Sequence, residues 1–392
     1  MKQVRWIPIA ALVGMALSMS STPALAKGYK VGPGLAFTSI QAAVDAASDG
    51  DKITVMPGTY QEVNGNIAAV TINKAIKLSA KSKKAPVIIV PNPGQNHGIL
   101  AEGSEGAHIA SLEISGFTVQ GFPKNGIWLR YVDNFKVNGN TSIDNLENGI
   151  WPTLSANGEV RRNVSYGSDD SALWVEASTD VRVSENELYD SVTGLEVTIS
   201  SNVTMSKNDV HDNTVGVGLY HPNGAGMDIP PGLVPGNWLL SDNHVYNNNR
   251  ENSASPSSLA GSIPPGGGVL VLGVDNVVAD SNVVENNNFY GFAVVTYCAA
   301  VDGSGNACDK VPPITQGMPE LNFFRNNVLN TNGLSPVIGH PLASYAADFT
   351  YIVTDIFDPS PAPPYKINKV CGTTPSNFTK SGIGTPIYAS KC

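Results

Sequence analysis

The chain has 392 residues and is acidic, with 24 Lys and Arg against 33 Asp and Glu and a formal net charge of −9 at pH 7. This charge argues against binding to nucleic acid, to anionic lipid or, without bridging cations, to another polyanion, because like charges repel. Hydrophobic residues make up 42% of the chain, which excludes a disordered protein, and its 39 Gly and 27 Pro favour a fold rich in strands and loops.

Residues 1–26 have the pattern of a secretory signal peptide. Lys2 and Arg5 precede the apolar run WIPIAALVGMALSM, and the small residues Ala24 and Ala26 fit a cleavage site. The apolar run is short for a membrane span, and no later segment comes near the required length. We therefore expect a periplasmic or extracellular protein with no transmembrane segment and a mature chain that starts at Lys27.

An amphipathic helix is predicted near the start of the mature chain. In FTSIQAAVDAASDGD, the residues Ile40, Val44 and Ala47 fall on one helical face. The segment KITVMPGTY then begins a series of short strands. A helix at this position could cover the open end of a repetitive fold, which needs a cap over its terminal edge.

A repeat of 22–23 residues follows. A small residue precedes a short apolar run at regular spacing, and the seven anchors are Gly126, Gly149, Ala172, Gly194, Gly216, Gly268 and Gly291. One interval, from Gly216 to Gly268, is longer because it holds an insertion. A column of asparagines keeps the same register: Asn140, Asn163, Asn186, Asn208, Asn243, Asn282 and Asn327. Asparagine tolerates left-handed turns, and stacked asparagines can hydrogen-bond to each other as a ladder.

The repeat predicts a parallel β-helix. The units are short and rich in β-branched residues, and they lack the long 3.6-residue periodicity of helical repeats. A leucine-rich repeat has a similar length, but its leucine spacing is absent. We expect one all-β domain of about ten coils over residues 27–350, with insert loops at 222–236 and 251–267. Past about Ala347 the repeat is lost, and residues 351–392 are predicted to form a C-terminal tail.

Four cysteines, Cys298, Cys308, Cys371 and Cys392, are present. Their even number in an exported chain favours two disulfides, although three pairings are possible. We predict that each cysteine pairs with its neighbour in the sequence, so that Cys298 is bonded to Cys308 and Cys371 to Cys392. No C-x-x-C pair is present, so a zinc site of that kind is not expected.

Two stretches carry a resemblance to known families. The segment SIQAAVDAASDGDKITVMPGTYQE resembles the opening of pectin-lyase-like superfamily proteins. The coils GIWLRYVDNFKVNGN, ALWVEASTDVRVSEN and GLEVTISSNVTMSKN, with the later GGVLVLGVDNVVADSN, resemble exported bacterial parallel β-helix repeat proteins. The resemblance covers roughly residues 35–335. It implies a right-handed parallel β-helix outside the cytoplasm, and it implies no activity.

Strand alternation predicts which side chains face outward after each anchor. The first outward column is Trp128, Trp151, Trp174, Glu196, Gly218, Leu270 and Ala293. The second is Arg130, Thr153, Glu176, Thr198, Tyr220, Leu272 and Val295. Three tryptophans would thus stack about 4.8 Å apart. They form either a platform for sugar rings or a structural strip under a loop. Both inserts are expected beside this face, where Tyr220 and His221 would join the tryptophans in binding.

Candidate chemistry lies on the same face. Arg130 is the best-placed base, and Glu176 and Glu196, one coil apart, form a candidate carboxylate pair. We interpret the acids Asp169, Asp190 and Asp212 as polar residues that recur in the turns of the repeat. The alternative is that they form a row that binds Ca²⁺.

Several motifs of enzymes that this chain resembles in fold are missing from its sequence. The Gly-His-Gly and Arg-x-Lys segments of pectin-cleaving hydrolases are absent, and so is the Asp-Pro-His-Asp segment of alginate epimerases. We therefore expect polysaccharide binding without turnover. A polysaccharide lyase, C5-epimerase or glycoside hydrolase is the alternative.

Overall fold

The computed structural model describes residues 25–82, 85–220, 229–256, 258, 260–297, 317–340, 342–353, 368–373, 378–381 and 387–389. These residues form a right-handed parallel β-helix, which confirms the predicted fold. Each regular coil contributes one strand to each of three long sheets, and strands that neighbour each other in a sheet run parallel. We number the sheets 1 to 3.

The described strands are numbered in chain order. Sheet 1 contains β1 (Gly28–Val31), β2 (Lys52–Val55), β5 (Lys77–Ala80), β8 (Leu112–Ser115), β11 (Phe135–Asn138), β14 (Ala156–Arg161), β17 (Thr179–Ser184), β20 (Thr204–Ser206), β23 (Trp238–Ser241), β26 (Val277–Asp280), β29 (Phe323–Arg325), β32 (Asn368–Cys371) and β34 (Ile387–Ala389).

Sheet 2 contains β4 (Ala68–Ile72), β7 (His97–Glu102), β10 (Ile127–Arg130), β13 (Ile150–Thr153), β16 (Ser171–Glu176), β19 (Thr193–Thr198), β22 (Val215–Tyr220), β25 (Gly267–Leu272), β28 (Tyr290–Val295), β31 (Ala347–Ile352) and β33 (Phe378–Ser381). Sheet 3 contains β3 (Gly58–Gln61), β6 (Val87–Val90), β9 (Phe117–Gln120), β12 (Thr141–Ile143), β15 (Val164–Tyr166), β18 (Glu187–Tyr189), β21 (Asp209–His211), β24 (His244–Tyr246), β27 (Val283–Glu285) and β30 (Val328–Asn330). Two 3₁₀ turns lie at Ala260–Ser262 and Ala343–Tyr345.

Alternation along the strands builds the interior. In β10, Ile127 and Leu129 are fully buried, while Trp128 and Arg130 are half-buried on the outer face. Successive side chains of a strand point to opposite faces, so each strand buries every second residue between the sheets. The resulting core is continuous along the helix axis, because each coil stacks on the next.

The predicted N-terminal helix is α1 (Ile40–Ala46). It buries Ile40, Ala43 and Val44 against the first coils, as a cap over an open solenoid end should. Its N-cap is Ser39, whose Oγ accepts a hydrogen bond from the Ala42 N–H. The Glu62 carboxylate accepts further hydrogen bonds from the N–H groups of the first turn.

The predicted asparagine column forms a ladder. From Asn140 to Asn327, each side-chain Nδ2 donates to the Oδ1 of the next asparagine at 2.8–3.1 Å. A second ladder, which the sequence analysis missed, runs from Asn213 to Asp348. Both are buried, and their mutual hydrogen bonds satisfy amides that would otherwise be costly to bury. The ladders also fix the register of the coils.

The C-terminal segment differs from the prediction of a tail without repeats. Strands β32, β33 and β34 lie past residue 351, and each pairs in parallel with the preceding strand of its own sheet. The disulfides stay predictions, because Cys298, Cys308 and Cys392 lie outside the described residues, while Cys371 is buried at the end of β32. Most of the predicted signal peptide also lies outside them. In the described part of the chain, no helix is long and apolar enough to cross a membrane.

Candidate active site

The outer face of sheet 2 carries the two outward columns in the predicted register. Strand pairing aligns Trp128 with Trp151 and Trp174 with Glu196, and it continues through Gly218 and beyond. The face therefore changes character along the helix axis. Aromatic rings come first, carboxyl groups follow, and aliphatic and phenolic side chains come last.

The three tryptophans form one stack. The ring centroids of Trp128 and Trp151 are 4.9 Å apart and those of Trp151 and Trp174 are 5.1 Å apart, with 5° between the planes in each pair. Trp174 Nε1 donates to Thr198 Oγ1 at 2.8 Å. The Nε1 atoms of Trp128 and Trp151 are buried and have no hydrogen-bond partner among the described residues. The rings are half-buried, and Trp174 lies at the end nearest the carboxyl groups.

Glu176 and Glu196 face outward as predicted, but they are not solvated. Glu176 is 1% exposed and Glu196 is 7% exposed. Part of the second insert lies over Glu196. A half-open cleft of about 400 Å³ lies between sheet 2 and this insert. Its lining includes Asp170, Trp174, Glu196, Tyr220, Ser258 and Ile263.

The carboxyl groups of this region have raised pKa values. Burial raises the pKa of Glu176 to about 8, Asp170 adds to the rise, and Thr153 and Trp151 oppose it. Burial also raises the pKa of Glu196 well above its usual value, and the charges of Asp170 and Glu176 act in the same direction.

Asp170 is more exposed than the two glutamates. Burial and the charge of Glu147 raise its pKa to about 6. At neutral pH, Glu176 is therefore mostly protonated and Asp170 mostly ionised, and the raised pKa of Glu196 favours its protonated form.

Hydrogen bonds orient only part of this group. Ser171 Oγ donates to Glu196 Oε2 at 2.5 Å, and Thr153 Oγ1 donates to Glu176 Oε2 at 3.3 Å. Glu176 Oε1 and the hydroxyls of Thr193 and Tyr220 are buried without a hydrogen-bond partner among the described residues. Unpaired buried polar atoms are rare in folded proteins, and a group of them points to a ligand or to ordered water.

Tyr220 closes one end of the cleft. Its ring lies against Gly218, where an added Cβ would come within 2.2 Å of the ring, so only glycine fits there. The Tyr220 hydroxyl lies close enough to Thr193 and Glu196 to influence the pKa of Tyr220, but it does not reach hydrogen-bond geometry. Burial is the main cause that raises this pKa.

Arg130 is a correction to the predicted catalytic set. Its Nη1 donates to Glu102 Oε1 at 3.0 Å, on the preceding coil. Glu176 lies two coils away in the other direction, and Arg130 does not line the cleft. The structure therefore brings Glu196 together with Asp170 and Trp174, and it leaves Arg130 outside that group.

The three turn acids that form the alternative Ca²⁺ row do not share one column. Strands β15, β18 and β21 end opposite one another, so the following turn residues Gly167, Asp190 and Asp212 form one column. Asp169 lies two residues past Gly167 and is out of that column. Among the described residues, no group of three or more His, Cys, Asp or Glu is arranged to hold a metal ion.

The three acids have other partners instead. Ser253 Oγ donates to Asp169 Oδ1 at 2.6 Å, and Arg250 Nε donates to Asp190 Oδ1 at 2.7 Å, so these two acids help to fix the second insert. Asp212 Oδ2 lies 2.8 Å from His211 Nδ1.

The two inserts lie in different places. The second reaches the Trp face, as predicted. The described part of the first, residues 229–236, lies beside Ser155, Ala177 and Ser201, in the turns between sheets 2 and 1. His221 lies outside the described residues. The sequence analysis also missed Asp170 as a site residue, although its position directly before β16 was a usable signal.

Comparisons with known proteins agree with this architecture. The family model described as the right handed beta helix region matches residues 87–228. The chain contains a right-handed β-helix region. The A-module of the mannuronan C-5 epimerase AlgE4 from Azotobacter vinelandii is similar in structure, with a TM-score of 0.59 and 15% identity over 88% of this chain and 83% of that chain.

Two further structures are similar. DFA-IIIase from Arthrobacter chlorophenolicus A6, in complex with GF2, has a TM-score of 0.53 and 13% identity over 91% of this chain and 88% of that chain. ORF18 of Geobacillus virus E2 has a TM-score of 0.50 and 12% identity over 88% of this chain and 58% of that chain. In a comparison of sequences, no curated protein matches the chain. Identities this low establish a shared fold and nothing finer.

Proposed function

We propose that this protein cleaves glycosidic bonds of a neutral glycan in the cleft beside Trp174. One observation carries the proposal. Asp170, Glu196 and Trp174 line a single cleft under the second insert, and the buried, unpaired hydroxyl of Tyr220 lies at its end. Glycoside hydrolysis needs two carboxyl groups in different protonation states, next to a surface that binds sugar rings.

The two carboxyl groups divide the work. The raised pKa of Glu196 favours its protonated form, so Glu196 serves as the general acid, while Asp170 is mostly ionised and serves as the general base. Glu196 gives its proton to the oxygen of the leaving sugar, and the glycosidic C–O bond breaks. Asp170 takes a proton from a water molecule, whose oxygen bonds to the anomeric carbon. Glu176, buried on the same strand as Trp174, takes no part in the proton transfers.

Charge favours a neutral sugar over a uronate. The acidic groups around the cleft disfavour a further carboxylate, because like charges in a partly buried site repel. Lys124 also lines the cleft, but its Nζ lies 3.5 Å from Glu147 and is already paired. Lyase and epimerase chemistry on uronates needs neutralisation of the substrate carboxylate, and this cleft is poorly suited to it.

The structural neighbours support a carbohydrate ligand by analogy. One is a mannuronan C-5 epimerase module, and another is a DFA-IIIase solved with GF2. The analogy extends to the class of ligand and not to the reaction, because the fold hosts several chemistries. The predicted signal peptide supports export to the periplasm or beyond. Mass spectrometry of the exported protein should then find Lys27 at the N-terminus.

Binding without turnover is the second candidate. The stack of Trp128, Trp151 and Trp174 favours it, because three parallel rings on successive coils match a chain of sugars without requiring any acid or base. In this case the buried carboxyl groups would serve only as hydrogen-bonding groups toward sugar hydroxyls.

One experiment separates these functions. Purified protein is incubated with neutral and uronate oligosaccharides in H₂¹⁸O, with and without Ca²⁺, and the products are analysed by mass spectrometry. We expect new reducing ends that carry ¹⁸O from neutral glycans only. Unsaturated products from uronates would overturn the proposal in favour of a lyase. Saturable binding with no product would support the second candidate.

Variants assign the roles. Glu196→Gln and Asp170→Asn should each abolish turnover and keep affinity for the glycan. Glu187→Gln, an exposed acid on sheet 3, is the matched control and should retain full activity. If both cleft variants remain active, these carboxyl groups are not the acid and base.

A further inference from the structure

An apolar cavity continues the outer face of sheet 2 beyond the cleft. Three coils past Trp174 the outward columns become aliphatic, with Leu270, Leu272, Ala293 and Val295 at the base of the cavity. Ile263 and Pro264 of the second insert also line it. The cavity has a volume of about 120 Å³, and it lies within a separate cluster of buried apolar side chains on this face.

Its size and chemistry suit a single aromatic ring. Apolar cavities of roughly 150 Å³ in proteins bind benzene-sized molecules. The lining is mostly apolar but also includes polar groups, of Ser262, His340, Thr350 and four tyrosines. Tyr290 is 5% exposed, and its hydroxyl has no hydrogen-bond partner among the described residues. Leaving such a group unpaired is costly, so a ligand with one polar atom among its apolar ones fits better than a pure hydrocarbon.

The cavity and the cleft share a wall. Tyr220 and Ile263 line both of them, so they adjoin directly. Along the outward column, Trp174, Glu196, Gly218 and Leu270 are successive neighbours, which places the cavity roughly 14 Å from the tryptophan platform at about 4.8 Å per coil. For a group joined to a sugar in the cleft, the cavity is therefore the adjoining space on the other side of the Tyr220 ring.

We propose that this cavity binds an aryl group, such as a phenolic ring, that is linked to the glycan in the cleft. The inference rests on the proposed function and extends it to the class of substrate: a glycoside or glycan that carries an aromatic substituent. The ring packs against Leu270 and Ala293, and its oxygen hydrogen-bonds to the Tyr290 hydroxyl.

The cavity itself is tested with phenol as the probe, by calorimetric titration of the full chain. We expect saturable binding. Ala293→Trp fills the cavity and should weaken binding about tenfold or more. Tyr290→Phe keeps the ring and removes the hydroxyl, so a smaller loss is expected. Glu187→Gln lies on sheet 3, away from the cavity, and should bind phenol like the native protein. Melting curves verify that each variant is folded.

The link to the glycan is tested with paired probes, the 4-nitrophenyl and methyl glycosides of the same neutral disaccharides, whose second sugar spans part of the distance from Trp174 to the cavity. The native protein should bind the aryl member about tenfold more tightly. Ala293→Trp should remove that preference without changing affinity for the methyl member. Equal affinity for the two members, or no binding of phenol, overturns the inference.

These results are distinguishable from a failure of the proposed function. Phenol binding without any glycan binding or cleavage would support the aryl cavity and overturn the proposed glycosidase function. Cleavage of neutral glycans without phenol binding would do the reverse. Equal binding of a short-chain acyl probe and of phenol would overturn the choice of an aryl ligand.

Discussion

Two outer faces of the β-helix carry stacked rings, and they differ in what lies beside the rings. On sheet 3, Tyr166, Tyr189, His211 and Tyr246 stack with centroids 4.6–5.1 Å apart. On sheet 2, the three tryptophans stack at almost the same spacing. Stacking on successive coils follows from the repeat itself, because aligned strands place equivalent residues about 4.8 Å apart. A stack alone therefore does not identify a binding site.

The acids beside the two stacks make the difference. On sheet 3 the side chains of Glu187 and Asp212 are 51% and 62% exposed, and both lie close to His211. On sheet 2, Glu176 and Glu196 are buried, and several polar atoms around them have no hydrogen-bond partner among the described residues. Groups of the first kind are solvated surface, and groups of the second kind are costly unless they have a role.

The largest effect is expected in catalysis. Replacing Glu196 by Gln removes the proton donor and should lower the turnover of neutral glycans by about 10²–10⁴-fold, which is the usual contribution of general acid catalysis. Glu187→Gln on sheet 3 should leave the rate unchanged. The measurement is initial rate against substrate concentration for both variants. Equal losses in the two would mean that the faces do not differ in function.

The second prediction concerns stability and pH. The pKa of Glu176 is about 8 in the folded chain against an ordinary value of 4.5. The folded chain binds the Glu176 proton more tightly than the unfolded chain does, and this stabilises the folded state fully below pH 4.5. The stabilisation is lost as the pH rises through 8, because the unfolded chain releases this proton more easily than the folded chain does.

Glu176→Gln has no such group. The unfolding free energy of Glu176→Gln minus that of the native protein should therefore be higher at pH 9 than at pH 4, by on the order of 4 kcal/mol. Urea unfolding at both pH values measures this difference. Glu187→Gln on sheet 3 should stay within about 0.5 kcal/mol of the native protein throughout. Parallel pH curves for Glu176→Gln and the native protein would contradict the burial of a protonated carboxyl group.

The third prediction concerns sugar affinity. Trp174→Ala removes the ring nearest the carboxyl groups and should weaken binding of a neutral oligosaccharide about tenfold. Tyr189→Ala removes a ring from the middle of the other stack and should leave that affinity unchanged. Titration calorimetry of both variants with one oligosaccharide compares the faces directly. A loss of affinity in Tyr189→Ala alone would move the binding site to sheet 3.

The smallest effect is structural. Tyr189→Leu should lower the free energy of unfolding by about 1 kcal/mol, since it removes two stacking contacts and keeps most of the apolar contact. Denaturant titration checks the value. A loss several times larger would mean that the sheet 3 stack contributes much more to stability than surface stacking normally does.

Much of the fold could be predicted from the sequence because its determinants repeat. The anchors such as Gly126, the asparagines such as Asn163 and the alternation around Trp128 all recur in one register. Stacking then brings residues together that are 22–23 positions apart. The Trp stack and the first asparagine ladder followed from that register.

The site was harder to predict because it depends on non-repeating contacts. Periodicity alone turned Glu176 and Glu196 outward, but it does not predict that both are buried, and Glu196 lies under an insert whose path no repeat determines. Asp169 was assigned to the turn column that Gly167 occupies, and Asp170 was left out of the predicted site. The position of the Tyr220 ring depends on the absence of a side chain at Gly218.

The most direct test is the structure of the Glu196→Gln variant with a neutral oligosaccharide that the native protein cleaves or binds. The account predicts a sugar ring against Trp174, with the glycosidic oxygen next to residue 196 and Asp170 on the opposite side of the anomeric carbon. Sugar bound on the Tyr189 and His211 rings of sheet 3, or a cleft that stays empty under saturating ligand, would contradict it.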